Sequence, residues 1–514
     1  MDFDLKINHE MIPLSEVVYD GISEQGIELD YILPDYYPDI FKMIKCEAFP
    51  EILSYSVTEN KLNFDLSVNI IIWYCSENSN ELTTIRQKMT YSKTQELGQD
   101  ITGSEVLLRT AADYVNCRVV NKKRIDIKGA VTTKIKLISE KQQEMICGAE
   151  GMNIQLRKIP VEYSLGKLSA DKTAVINENV EMNPDKPSVV SVIRSCVFAG
   201  EPECKVIANK LVVKGNAQIS ILYSCEDSGK PSMDTMKYTI PYSQIIDMEG
   251  LDETYQCCVE ATAVNCDISP SAAKTFKCEF SINMHCSAIK TSHTEIITDL
   301  YSTKYDSDYQ ISKVRICKPP VPVNEHMNMK YVLEYNDGTI EKVYDVWCSV
   351  KNISVKADNE ENAICMSGML KFSALVRNSE GKPVLIEKEN ACEHRIMLSG
   401  GDDGFVPESD AFVENCTYTL SSGNKISVSS DIVLRGKLCR FSEAYAVTDI
   451  NVDSTSPRRK EGNYAAKIYF GNEGENVWDI AKKYGTSVEA VMEENEQSDE
   501  VLAADTMLLI PIVN

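Results

Sequence analysis

The chain has 514 residues, 43% of them apolar, with 24 tyrosines and 12 phenylalanines, too long for one ordinary core and too apolar for a disordered polymer. Its 53 basic residues face 77 acidic ones, a formal net charge of −24, which excludes general binding to nucleic acid or to an anionic lipid surface. Eighteen cysteines are scattered without a Cys-x-x-Cys and are expected to be reduced and mostly buried.

The opening "MDFDLKINHEMIPLSEVVYD" carries acids where a secretory signal needs bases, and no stretch of the chain is long and apolar enough to span a bilayer. A cytoplasmic location without membrane insertion is expected. The prolines of "LPDYYPDI" at 33–40 bracket a tyrosine pair and predict a rigid extended loop.

"KLNFDLSVNIIIWYCSENSNE" at 61–81 then introduces a pattern that returns as "KLVVKGNAQISILYSCEDSGK" at 210–230 and as "GMLKFSALVRNSEGK" at 368–382. Ala217, Ile219, Ile221 and Tyr223 alternate with the period of a half-buried strand, and Leu370, Phe372, Ala374 and Val376 do the same. Upstream of each copy stands a cysteine, Cys46, Cys196 or Cys348, and downstream an Asn-Cys pair ending at Cys117, Cys266 or Cys416. A period near 150 residues indicates tandem globular domains, since solenoid repeats run at about 20–50.

Further alternating pairs follow each Asn-Cys at 124–138, 276–286 and 425–436, whereas "SEVLLRTAADYV" at 104–115 permits a short helix. The fold class is therefore mainly β: three tandem antiparallel β-rich domains at 1–175, 176–320 and 321–452. "DSTSPRRKEGN" at 453–463 reads as a linker, and its Arg458-Arg459-Lys460 as a solvated basic cluster.

Residues 464–514 predict a small β-α-α-β module. Asn476 can cap a first helix that Gly485 ends, and Val477, Ile480, Ala481 and Tyr484 make its inward stripe. Trp478 and Lys482 fall beside that stripe. A second helix at 488–495 turns Val488, Val491 and Met492 inward, and "MLLIPI" at 507–512 closes the module as a strand.

Chemistry is hard to find. The five histidines show no ligand spacing, and no phosphate loop, dinucleotide fingerprint or nucleophile elbow is present. His285 and Cys286, adjacent in a strand, point to opposite faces. The residues read as a binding protein with no cofactor and no metal.

"GENVWDIAKKYG" at 474–485, with Asn495 and "LLIP" at 508–511, resembles the LysM family, whose pattern Gly474, Trp478, Ile480, Ala481, Tyr484, Gly485, Asn495, Leu508, Ile510 and Pro511 follow. That resemblance makes Val477, Ile480, Ala481, Tyr484, Leu508 and Ile510 the expected core. It places a binding groove at Glu475, Asn476, Trp478, Lys482, Asn495 and Asp505. LysM modules usually bind N-acetylglucosamine glycans, but here the family's Asp-Thr is Glu475-Asn476 and a usual glycine is Asp505. "IELDYILPDYYPDIFKMIKCEA" at 27–48 resembles the SPOCS family of sporulating Firmicutes. Together the two resemblances imply a spore-coat protein of the mother cell at the forespore surface, whose LysM domain binds a SpoIVA-like coat ATPase and whose repeats engage other coat proteins or themselves. The alternative is a peptidoglycan binder of the cortex or wall.

Overall fold

A computed structural model describes residues 4–76, 81–227, 229–398, 404–458 and 465–511; Arg459 and Lys460 lie outside these. The alternating segments become strands, and three two-sheet units follow one another. The first contains β1 (Lys6–Ile32), β2 (Ile40–Thr58), β3 (Lys61–Ser76), β4 (Leu82–Glu96), β5 (Glu105–Asn121) and β6 (Arg124–Glu150). Its sheets are β1-β6-β5 and β2-β3-β4. The second has β7 (Ile154–Glu181), β8 (Val189–Ala199), β9 (Glu203–Ile207), β10 (Lys210–Asp227), β11 (Lys230–Asp247), β12 (Tyr255–Ala272) and β13 (Thr275–Ser302). It repeats the design as β7-β13-β12 and β8-β10-β11, with β9 added along β10.

The third unit has β14 (Tyr305–Cys317), β15 (Val321–Glu334), β16 (Ile340–Asp358), β17 (Ala363–Asn378), β18 (Pro383–Met397), β19 (Gly404–Ser422) and β20 (Lys425–Pro457). Here β14 and β15 together do the work of β1, both pairing with β20. The break falls at Pro319-Pro320, which cannot donate to a ladder. The chain ends in β21 (Ala466–Gly471), α1 (Val477–Tyr484), α2 (Val488–Glu494) and β22 (Thr506–Pro511).

Within each unit the two sheets close on one core. Ile125, Ile127 and Val131 of β6 meet Leu66, Val68, Ile70 and Ile72 of β3. Phe276 to Ile282 of β13 and Ile426 to Leu434 of β20 repeat this against β10 and β17. The inward residues are those of the period-two alternation.

Three further clusters draw on all three units, so the units gather around a common axis. Trp73, Leu222 and Leu375, the same position in each copy, meet with Trp347, which stands edge-on to Trp73 at 5.7 Å. Farther along, the outer halves of β6, β13 and β20 bring together Met145, Ile296 and Ala446. The next layer is Ile146, Ile297 and Val447.

Four expectations are corrected. The short helix at 104–115 is the strand β5, because the edge of β6 needs a partner there, and Val106 and Leu108 pair with Leu137 and Ile135. The boundary at 175/176 falls inside β7, and β14, ahead of 320/321, pairs with β20 of the third unit. The units meet instead at tight turns near 151–153 and 303–304. Strand β20 runs on to Pro457, with Asp453 opposite Asp306, so the first part of the expected linker is paired strand.

The cysteines are not all reduced: Cys46 and Cys117 form a disulfide between β2 and β5. Cysteines 71 positions apart on different sheets leave no pairing signal in the sequence, and stacking brings them together. The buried Cys75 and Cys278 are free thiols, as expected. Closing a loop of that length stabilises by about 2–4 kcal/mol, chiefly through the unfolded chain. Reductant is therefore expected to lower the melting temperature of the wild-type chain and to leave that of Cys46→Ser unchanged; equal responses would show that the bridge contributes nothing.

Candidate functional site

The C-terminal module forms from local signals. Asn476, extended at φ −94°, caps α1 by accepting from the Trp478 backbone amide at 2.8 Å. Gly485 ends the helix in the left-handed region at φ 66°, where a side chain would be strained. Ser487 caps α2 through the Ala490 amide. Val477, Ile480, Ala481, Val491, Leu508 and Ile510 are buried together, and Tyr484 is half-buried with its ring 5.7 Å from Tyr469.

The expected groove residues fall into three places. Glu475 and Asp505 lie in the loops after β21 and before β22, which join through Gly474 N to Leu502 O at 2.8 Å and Val477 N to Glu500 O at 2.7 Å. The Glu475 carboxylate accepts from the Asn472 amide at 3.2 Å, the Asn472 side chain at 3.1 Å and the Tyr469 hydroxyl at 3.0 Å. Those bonds, Asn472 first, hold its carboxyl below the usual range. Asp505 accepts from the Glu473 amide at 2.9 Å.

Asn495 stands apart from them. Its amide donates to Val491 O and Leu509 O at 2.7 and 2.8 Å and accepts from Leu509 N at 2.6 Å, pinning α2 to β22.

Trp478 and Lys482, one turn apart on α1, meet residues of the second and third units. The Trp478 indole Nε1 donates to Asp299 Oδ2 at 2.7 Å, and Lys482 Nζ donates to Asp299 Oδ1 at 2.5 Å. The Tyr309 hydroxyl also donates to Asp299 Oδ1, at 2.5 Å. The Tyr301 ring stands edge-on to Trp478 at 5.0 Å, and its hydroxyl donates to Thr486 O at 2.7 Å. Trp478 is 5% exposed. Burial pushes the Asp299 carboxyl up, but the bonds from Lys482, Tyr309 and Trp478 outweigh it and hold the group below its ordinary value. Sequence reasoning missed Asp299, Tyr301 and Tyr309, since a polar residue in a strand end announces no partner. On the other side of the module, Ile468, Phe470 and Met507 are exposed on the outer face of β21–β22.

Residues 188–270, which run from β8 to β12, match the model of the SipL SPOCS domain. Residues 472–511 match the LysM domain. This is the domain composition of SipL-like spore coat proteins. The two domain identities support a non-enzymatic adaptor role in which the LysM domain serves protein or peptidoglycan interaction. No curated protein and no solved structure gives a significant match.

Among the described residues, no group of three or more His, Cys, Asp or Glu side chains could hold a metal ion, and no helix is long and apolar enough to cross a membrane. His285 and Cys286 do point to opposite faces: Cys286 is in the core of the second unit, while His285 bonds Asp171 at 2.8 Å.

Proposed function

We propose that the chain is a structural adaptor of spore-coat assembly, working in the mother cell at the forespore surface, and that its LysM domain captures a SpoIVA-like coat-basement ATPase. The observation that carries this reading is the charge and wiring of the LysM loops. Residues 463–514 hold ten acids against three lysines. A neutral sugar chain gains nothing from that charge, whereas a protein surface with basic residues does. The Glu475 and Asp505 side chains are moreover spent on the loop's own backbone and on Tyr469. The repeats, three two-sheet units gathered around one axis, are then the surface for other coat proteins or for further copies of the chain.

Trp478 is the proposed anchor, because tryptophans in desolvated pockets dominate protein interfaces and often cost about 2 kcal/mol or more when truncated. Trp478→Ala in the full chain is expected to weaken capture of the purified ATPase at least tenfold while circular dichroism stays that of the wild type. Full binding by a folded Trp478→Ala chain would reject Trp478 as the anchor. Titration with chitin or muropeptide oligomers tests the other ligand class: saturable micromolar binding would favour the cortex reading over the coat ATPase.

A further inference from the structure

The LysM face that bears Trp478 and Lys482 is occupied by the chain's own repeats. The seat is compact. One carboxylate, Asp299, collects the Trp478 indole, the Lys482 ammonium and the Tyr309 hydroxyl, and Lys482 reaches the Tyr309 hydroxyl as well, at 3.0 Å. One aromatic, Tyr301, supplies the apolar contact and closes the far end through Thr486 O. Asp299 is aimed by a register shift in the β13–β7 ladder between Ile297 and Asp299, and its Oδ1 also accepts from the Leu300 amide at 2.8 Å.

The other two units offer no equivalent. Ala149, Leu300 and Ile450 occupy the same layer of the axis cluster. The residues flanking Leu300 are Asp299 and Tyr301; those flanking Ala149 are Gly148 and Glu150, and those flanking Ile450 are Asp449 and Asn451. Among these described flanking residues, the second unit alone brings an aromatic, Tyr301, and it is there that the LysM domain sits.

Such a contact differs from the cores on either side of it. The repeats and the LysM domain each close on their own apolar cluster, and among the described residues Tyr301 is the one residue of the repeats in the LysM cluster. A junction that rests on one carboxylate and two tyrosine side chains can open without disturbing either fold.

We propose that Asp299, Tyr301 and Tyr309 hold the LysM domain in a closed state that withholds the Trp478–Lys482 face of α1, and that a protein partner takes this face only when the domain leaves its seat. The inference rests on the reading that α1 carries the partner-binding face. Closure then sets the affinity of the whole chain, since only the open fraction binds.

The test uses the full chain with Asp299→Ala, and with Asp299→Asn as a variant that keeps the side-chain volume should the first disturb the strand. Trp73 and Trp347 are buried between the units, so a gain in acrylamide quenching of tryptophan fluorescence reports Trp478. Both variants are expected to expose Trp478 and to bind the purified coat ATPase about tenfold more tightly than wild type, a coupling of ordinary size. Adding Trp478→Ala should abolish the gain. Trp478 remaining as protected as in wild type would overturn the seat. A freed Trp478 with unchanged affinity would overturn the withholding, and would point to a partner on the Ile468–Phe470 face instead. If Trp478 is freed and neither chain binds the ATPase at all, the closed seat stands and the choice of partner falls.

Discussion

Glu105→Ala is expected to cost the folded chain about 3–5 kcal/mol, the ordinary result of removing one partner from a buried ionic group. Glu105 opens β5 with its side chain only 10% exposed, and it serves all three units at once. Lys167 and His285 come to it from the second unit and Lys437 from the third, with His285 Nε2 and Lys437 Nζ each at 3.4 Å. Around them Lys136 reaches Glu408 at 2.6 Å and Lys437 reaches it at 3.4 Å. Gly436, beside Lys437, lies so close to β19 that an added Cβ would stand 2.1 Å from the Glu408 carbonyl oxygen.

Burial works against ionisation of Glu105, but the bond from His285 and the charges of Lys437 and Lys167 prevail and hold its carboxyl far below the ordinary range. Alanine would leave those cations desolvated and without their common counter-charge. Denaturant unfolding of the variant measures the loss, and a change under about 1 kcal/mol would mean that water already supports the cluster.

The same cluster sets an alkaline limit. Bonds to Asp171 and Glu105 push His285 up to about 9, from an ordinary 6.5. A group raised in the folded state contributes fully below its unfolded value. Its contribution, on the order of 3 kcal/mol, is therefore complete below pH 6.5 and lost as the pH climbs through about 9. Stability measured from pH 6 to 10 should fall in that window for wild type and much less for His285→Gln.

What the sequence disclosed depended on how locally each feature is encoded. The alternation of Ala217, Ile219, Ile221 and Tyr223 fixes which face of β10 is buried, and its recurrence around Phe372 makes the repeat visible in the order of residues alone. The LysM domain is equally legible, because its cap, its stripe and its terminal glycine lie within ten residues of one another. The outer halves of the long strands are not. "SEKQQEM" at 139–145 has no alternation of its own and becomes strand because β1 pairs along it and Met145 meets Ile296 and Ala446. Pairing with the distant β14 also explains the continuation of β20, and the stacking of two sheets the Cys46–Cys117 bridge, while β5 follows from its hairpin partner β6. Asp299 is the extreme case, since its importance comes entirely from a domain more than 170 residues later.

Ile480→Ala should unfold the LysM domain within an otherwise intact chain. Ile480 is 4% exposed and packs among Val477, Ala481, Val491, Leu502, Leu508 and Ile510. Truncating such a side chain costs about 2–5 kcal/mol, part lost transfer energy and part cavity. A domain of some fifty residues has roughly 3–7 kcal/mol of stability to lose on the usual scale per residue. No cysteine occurs in residues 464–514, so no disulfide limits its unfolded state. The substitution therefore removes most of the margin, and the Tyr301 contact on one side cannot restore a core that has lost its centre. Trp478→Ala differs, because much of what the indole touches lies outside the domain, on Asp299 and Tyr301. Amide hydrogen exchange of the full chain separates the two. Ile480→Ala should erase protection throughout α1 and α2 while the strands of the three units keep theirs, and Trp478→Ala should leave both helices protected. Native protection of α1 in Ile480→Ala would mean that the domain draws its stability from the repeats rather than from its own core.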